Sequence, residues 1–302
     1  TGSNLGSNLS PRAALSYALD ERQKWKLNAS IGRYFKIPTY TMLGFQNQLG
    51  RFVNQEADYT QSDHYVLGFE YNLGAASRFT VEGFRKNYSN YPISVIDGVS
   101  LANKGGGFEV LGNEAIVSEG TGETKGIEVL FQQKLANNFY GVFAYTYFSS
   151  EFTGADGILR PSVWDSRHLI SFSGGYKLKS NWELSARWRF AGKNPYVPVN
   201  LEASLAAYPE LILDYNRLGE VQLNSFNLAD IRIDKKWNFK SLSFNFYFEV
   251  QNFLAQPNPT PPEYGLNRNP DGSLITPTSL VELNLNDNNS SPLPTFGLVL
   301  YF

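Results

Sequence analysis

The 302-residue sequence has no cysteine. Disulfides, thiolate zinc sites and cysteine nucleophiles are therefore excluded. Histidine is nearly absent: His64 and His168 are the only two, far apart in the chain. The 26 basic and 28 acidic residues almost cancel, so there is no cationic surplus to draw nucleic acid. No apolar run reaches 18 residues, which excludes a membrane-spanning helix. The opening TGSNLGSNLSPR has no initiating Met, no basic n-region and no apolar h-region, so it does not read as a signal peptide.

What is present is aromatic. The chain has 18 Tyr and 22 Phe, yet its mean hydropathy is −0.30. Alternating strands produce this combination, because every second residue is polar. Leu242, Phe244, Phe246, Phe248 and Val250 alternate with Ser243, Asn245, Tyr247, Glu249 and Gln251. Trp182, Leu184, Ala186, Trp188 and Phe190 alternate with Glu183, Ser185, Arg187 and Arg189, and Ala229, Ile231 and Ile233 with Asp230, Arg232, Asp234 and Lys236. Tyr65, Leu67, Phe69, Tyr71 and Leu73 continue the pattern. A helix would spread each set around its circumference, so these segments are strands.

Eleven strands are expected, at roughly 11–19, 25–35, 63–73, 78–89, 122–135, 139–151, 167–178, 182–190, 226–237, 241–252 and 295–302, with a slip of parity near Phe84. Their connections alternate between short and long. The short ones are Asp20–Lys24, Gly74–Ser77, Ala136–Asn138, Lys179–Asn181 and a turn at Asn238–Lys240. The long ones are Lys36–Ser62, Asn90–Thr121, Phe152–Ser166, Ala191–Ser225 and Phe253–Pro294. A soluble sandwich has no reason to collect its long loops at one end, whereas outer-membrane barrels have short periplasmic turns and long extracellular loops. The fold class is thus all-β, an antiparallel transmembrane β-barrel. Its C-terminus is expected in the periplasm, with Trp25, Trp182 and Trp237 in a periplasmic aromatic girdle. An odd number of strands does not close a bacterial single-chain barrel, and open edges are not viable in hydrocarbon. Upstream strands are therefore expected.

The segments SPRAALSYAL and WKLNASIGRYFKIPTY (10–40), then WDSRHLISFSGGYKLKSNWELSARWRFAGKNPYVP (164–198), then FNLADIRIDKKW, FYFEVQNFL and GLVLYF, resemble in that order the later hairpins of the TonB-dependent receptors, in a form like those of Bacteroidetes. The resemblance covers nearly the whole chain. It implies that residues 1–302 form the C-terminal half of a twenty-two-stranded barrel, with the plug domain and the segment that engages TonB lying upstream. It also implies energised import of a scarce extracellular ligand, with no covalent chemistry. The implied partners are outer-membrane lipid, the receptor's own plug, the TonB complex, the ligand, and a surface lipoprotein if the cargo is glycan or peptide. No cofactor is implied, and siderophore, haem, cobalamin, glycan and peptide remain open as ligands. A passive porin and a surface adhesion barrel share the strand argument, and the upstream sequence separates them from a receptor. An enzyme has little support.

Candidate sites carry two readings each. Asp165, Arg167 and His168 cluster in sequence without a paired nucleophile, so a strand start is favoured over catalysis. Gly105–Gly107 lacks the strand and helix of a phosphate loop. The Asp287–Asn289 run lacks the Gly and distal Glu of a calcium loop. His64 and His168 are read as strand-end polar residues, with no metal. Arg187, Arg189, Asp230, Arg232, Asp234, Lys236 and Glu249 face the lumen. They form either a wet wall or a docking surface for the plug through breakable charge-assisted hydrogen bonds. Tyr40, Phe45, Arg51, Tyr91, Trp164, Asn194, Tyr196, Tyr208 and Tyr264 lie in long loops and either contact ligand or pack within their loops.

Overall fold

A computed structural model describes residues 9–105, 111–283 and 290–302. Eleven strands form one antiparallel sheet in which each pairs with its neighbours in sequence. They are β1 (Arg12–Ala18), β2 (Trp25–Lys36), β3 (Thr60–Asn72), β4 (Ser77–Ser94), β5 (Ile116–Ala136), β6 (Phe139–Thr153), β7 (His168–Lys177), β8 (Trp182–Ala191), β9 (Phe226–Asn238), β10 (Ser243–Gln251) and β11 (Leu293–Tyr301). A three-residue strand, Leu159–Pro161, pairs with the outer end of β6. Every strand expected from alternation is present. The largest boundary differences are in β4 and β5, which extend to Ser94 and start at Ile116.

The short connections are tight because their residues tolerate left-handed backbone. Asn137 and Asn138 have φ of 49° and 67°, both central positions of a two-residue turn whose twist matches the strands it joins. Ser180 and Asn181, each at φ 57°, turn β7 into β8. At the β1–β2 turn the Asp20 side chain accepts from the Trp25 N–H at 2.8 Å. All five short turns lie at one end of the sheet and all five long connections at the other. The long connections carry two short helices, α1 (Tyr40–Leu43) and α2 (Leu201–Ala207), which alternation did not anticipate.

Directly paired residues share a face, so the register sorts the side chains. One face carries the row Trp25, Tyr71, Phe79, Phe131, Phe143, Phe172, Trp188 and Ala229 across eight strands. It continues through Phe248 with Ile233 and Phe296, and Phe246 with Lys235 and Leu298. That row starts on the first residue of β2 but meets β9 at Ala229, well inside a strand that ends at Asn238. Such a drift is the stagger of tilted, barrel-forming strands. Phe84 corrects the expected slip: its register with Val66 and Gly126 is regular, and it stands on the opposite, polar face. A bare Gly126 leaves room for it and for Phe148. The irregularity lies farther along, between Tyr88 and Ile93.

Among the described residues, no second layer lies behind the apolar face. Leu67, Leu184, Leu298 and Phe296 are 58%, 51%, 61% and 76% exposed. Among the described residues, the buried apolar side chains are Ile93, Val99, Leu101, Ala102, Ile116, Phe148 and Phe152. All lie toward the long-connection end. A continuous apolar wall of this kind is stable only where an apolar solvent covers it. Near the short turns the face changes character: Trp25 stacks on Tyr71 at 3.8 Å, and Lys235 lies over Trp182 and Trp237 while its ammonium donates to the Ser180 carbonyl. Aromatic rings with a cation reaching past them suit the boundary between hydrocarbon and headgroups. β5, with 21 residues, is roughly 70 Å long at about 3.3 Å per residue and projects beyond a bilayer even when tilted.

Candidate functional site

Two regions concentrate polar chemistry: the polar face of the wall, and the roof where the long connections meet.

On the wall, Arg187 sits directly opposite Asp230 and donates to it through two nitrogens at 2.9 and 2.7 Å. The other oxygen of the buried Asp230 accepts from the Asn252 N–H at 3.0 Å. Arg232 forks onto Asp234 at 2.8 and 2.7 Å, lies 3.6 Å from Glu249, and covers the Tyr247 ring at 3.9 Å. Asn245 donates to Asp234 at 2.9 Å, and Tyr140 donates to Glu183. Lys236 lies over Tyr301, and Arg189 stands opposite Leu228. The seven residues expected to share one face do so by register. Arg187, Asp230, Arg232 and Glu249 also line a shallow cavity of about 270 Å³. The Arg232 pairs are charge-assisted and partly solvated, a state in which partners exchange at modest cost, whereas the buried Asp230 holds Arg187 more firmly.

The roof is held by buried polar side chains. Asn54 bridges two connections: its amide donates to the Met42 and Glu114 carbonyls at 2.9 and 2.7 Å, and its oxygen accepts from the Ile116 N–H at 3.0 Å. Lys104 meets Asp97 at 2.5 Å and both oxygens of Glu114 at 3.0 and 2.9 Å, with Tyr215 beneath it. Burial alone pulls the Lys104 ammonium down, but the bonds to Asp97 and Glu114 together outweigh it, and the pKa is raised. Asn103 ties in the Arg160 and Pro161 carbonyls at 3.1 and 2.7 Å. Arg160 forks onto Asp156, which also accepts from the Ile158 N–H, holding that carboxyl at about 2. Asp165 behaves oppositely. Burial pushes it up to about 6, against the pull of Arg167 at 3.1 Å and of the Ser150 N–H at 3.2 Å.

Of the nine residues expected in long loops, Tyr91 lies instead in the extended outer end of β4, paired with Gly120, and the other eight are distributed among separate connections. Tyr91 and Trp164 come together through Phe152, at ring distances of 4.4 and 5.7 Å, and the Trp164 indole donates to Ser150 at 3.0 Å. Tyr196 pairs with Val221, and burial followed by the neighbouring Tyr264 pushes its phenol up. Tyr264 opens a small hairpin of its own. Tyr40 begins α1 and is 88% exposed. Phe45 and Arg51 lie in the same connection, held by backbone bonds to Val53 and Asn47. The Asn194 carbonyl accepts from Leu223, while its side-chain oxygen is buried and, among the described residues, has no partner. Tyr208 caps the end of α2. A cleft of about 220 Å³ between the roof segments is lined instead by residues including Asp97, Asn103, Asp156, Arg160 and Tyr215. These belong to three different connections, and no spacing rule brings them together.

His64 bonds to Ser62 at 2.8 Å, and His168 to the Tyr145 hydroxyl at 2.9 Å. Among the described residues, no three His, Asp or Glu side chains form a metal-binding group. Most of the Gly105–Gly107 run and all of the Asp287–Asn289 run lie outside the described residues.

The staggered antiparallel sheet, uncovered apolar face and segregated connections define the wall of an outer-membrane-type transmembrane β-barrel. A family model described as TonB dependent receptor-like, beta-barrel matches residues 1–253. The chain belongs to that family, whose members are outer-membrane transport receptors rather than enzymes. No curated protein matches it in sequence. Its fold is similar to the pyoverdine outer-membrane receptor FpvA of Pseudomonas aeruginosa PAO1, with 15% identity over 97% of this chain and 36% of the receptor, at a TM-score of 0.60. It is also similar to the siderophore receptor PiuA of Acinetobacter baumannii, with 11% identity over 96% and 35% at 0.56. A third match is the outer-membrane transporter YddB of Escherichia coli, with 10% identity over 97% and 41%, also at 0.56. The chain thus spans between about a third and two-fifths of the length of these structures.

Proposed function

We propose that residues 1–302 are the C-terminal part of the barrel of a receptor that imports a scarce extracellular ligand by energised, TonB-driven transport. The observation that carries this reading is the division of labour in the sheet. An apolar face fit for lipid backs a polar face of paired, breakable charges, and every long connection lies at one rim. In this reading the long connections are extracellular, the short turns and the C-terminus are periplasmic, and the polar face lines the lumen. Arg187, Arg189, Asp230, Arg232, Asp234, Lys236 and Glu249 then offer the upstream plug a surface whose ion pairs can re-form when the plug moves.

Ligand recognition is assigned to the rim. Exposed Tyr40, Arg51 and Tyr208 and half-buried Phe45 supply contacts from two connections, and the Tyr91–Trp164 and Tyr196–Tyr264 pairs supply aromatic surface. Asn194 brings a buried oxygen that has no partner among the described residues. The matched pyoverdine and siderophore receptors make an iron chelate a reasonable first ligand to test. Epitope tags test the topology. A tag after Gly272 in the full-length protein should be detected on intact cells, and a tag at Asn137 only after permeabilisation; the opposite pattern overturns the orientation.

A further inference from the structure

On the apolar face, at its boundary with the long connections, lies an open groove of about 860 Å³. Its floor is Gly83. Leu67 and Ile127 are paired directly opposite Gly83 on the two flanking strands, and Tyr147 is paired with Ile127 one strand farther. The two walls stand two strand spacings apart, about 10 Å between backbones. The missing side chain at Gly83 therefore leaves a channel wide enough for a hydrocarbon chain. The side chains of Leu67, Ile127 and Tyr147 are all substantially exposed.

The upper rim is cationic. Arg85 and Lys125 are direct cross-strand partners, one alternation step beyond Gly83 and Ile127 on the same face, and Arg167 completes the lining. Carboxylates are close by. Glu123 pairs with both Arg85 and Lys125, the latter at 2.6 Å, and Arg167 lies 3.7 Å from Glu151 and 3.1 Å from Asp165. Their placement decides what the rim offers. Glu123 and Glu151 are paired with each other one step farther from the groove, next to Asn87 and in line with Asp63. The side chains of Arg85 and Lys125 are each 59% exposed against 20% for Glu123. Along the wall the order is thus apolar groove, then cations, then acids. A group approaching from the hydrocarbon side meets guanidinium and ammonium donors first.

We propose that this groove binds a phosphorylated lipid of the surrounding membrane, with an acyl chain over Gly83 and its phosphate accepting hydrogen bonds from Arg85, Lys125 and Arg167. The spacing matches such a lipid, since the anionic group and the chain are adjoining parts of one molecule, just as the cations adjoin the groove. Arginine forks suit phosphate oxygens. The inference rests on the assignment of this face to lipid made above.

Gly83 permits a clean test. A Cβ placed there has the Leu67 carbonyl oxygen, at 4.0 Å, as its nearest neighbour, so Gly83→Leu fills the groove without straining the sheet. Full-length receptor, delipidated in mild detergent and shown to be heat-resistant, is titrated with lipid A and bound lipid is counted by native mass spectrometry. Gly83→Leu and the Arg85→Gln/Lys125→Gln double variant should each lower retention about tenfold. Dephosphorylated lipid A should bind weakly to the parent protein and be indifferent to the charge variant, and excess inorganic phosphate should not displace intact lipid A. Retention unchanged in both variants, or displacement by inorganic phosphate, overturns the proposal. A polarity-sensitive fluorophore on Leu67→Cys, compared with Val66→Cys, separates the two levels. Water at position 67 with hydrocarbon at 66 means that the facing assignment is wrong. Hydrocarbon at 67 with undiminished lipid retention means that only the lipid site is wrong.

Discussion

Replacing Asn54 with alanine should loosen the roof while sparing the wall. Asn54 is 2% exposed and holds two connections together through three hydrogen bonds. Alanine removes both sides of that bridge. The Ile116 N–H is then left buried without its acceptor, at about 1–3 kcal/mol, and the part-buried Met42 and Glu114 carbonyls lose a donor at roughly 0.5–1 kcal/mol each, because water reaches them in part. The local cost is about 2–5 kcal/mol, or roughly 30- to 4000-fold in the opening equilibrium of this segment. Hydrogen exchange followed by mass spectrometry on the full-length receptor reads this directly. Peptides spanning 39–45 and 111–118 should exchange faster by that factor, while peptides from β8 to β10 keep their protection. The barrel should also keep its heat-resistant migration. If the 111–118 peptide exchanges as in the parent protein, Asn54 is not the bridge described here.

Phe246→Arg should cost about 2–4 kcal/mol in refolding titrations of the full-length barrel if the site is near the midplane, and Glu249→Ala much less; equal losses would refute the facing of β10. The carboxyl of Asp165 is raised to about 6 from an ordinary 3.8, so the folded roof binds this proton more tightly than the opened one. Protection of residues 150–167 should therefore increase as pH falls from 7 to 5, and Asp165→Asn should flatten that dependence in exchange measurements. Shortening 192–225 should abolish ligand binding with surface abundance unchanged, because loop length costs the strands little; normal import by that variant would move recognition elsewhere.

The wall was legible from sequence because one physical constraint, period-two alternation, is written into nearly every strand. The pairing of Arg187 with Asp230 puts the two on one shared face, which parity on neighbouring strands also expects. Phe84 misled because an aromatic on the polar face breaks the pattern without breaking the backbone; the glycine at 126 that accommodates it lies on another strand. The roof was not legible. Asn54, Lys104 and Glu114 carry no signal of their own in the sequence and Asp165 reads there as part of a strand start; only the meeting of distant connections buries them. The extensions of β4 and β5 were missed for a related reason. Pro92, Ile93 and Ser94 are buried in succession at the outer end of β4, and β5 begins in Ser-, Glu-, Thr- and Gly-rich sequence, so neither end shows an alternation of apolar and polar residues.

Energised import is the claim that most needs a direct test, and depletion from a complex medium tests it even while the ligand is unidentified. Cells with and without the full-length receptor are incubated in the same medium, with and without a protonophore, and the remaining solutes are profiled by mass spectrometry. Energised import predicts at least one solute removed only by receptor-bearing, energised cells, and no longer removed when 192–225 is shortened. Receptor-dependent removal that persists with the protonophore would mark a passive channel, and no receptor-dependent removal at all would contradict import.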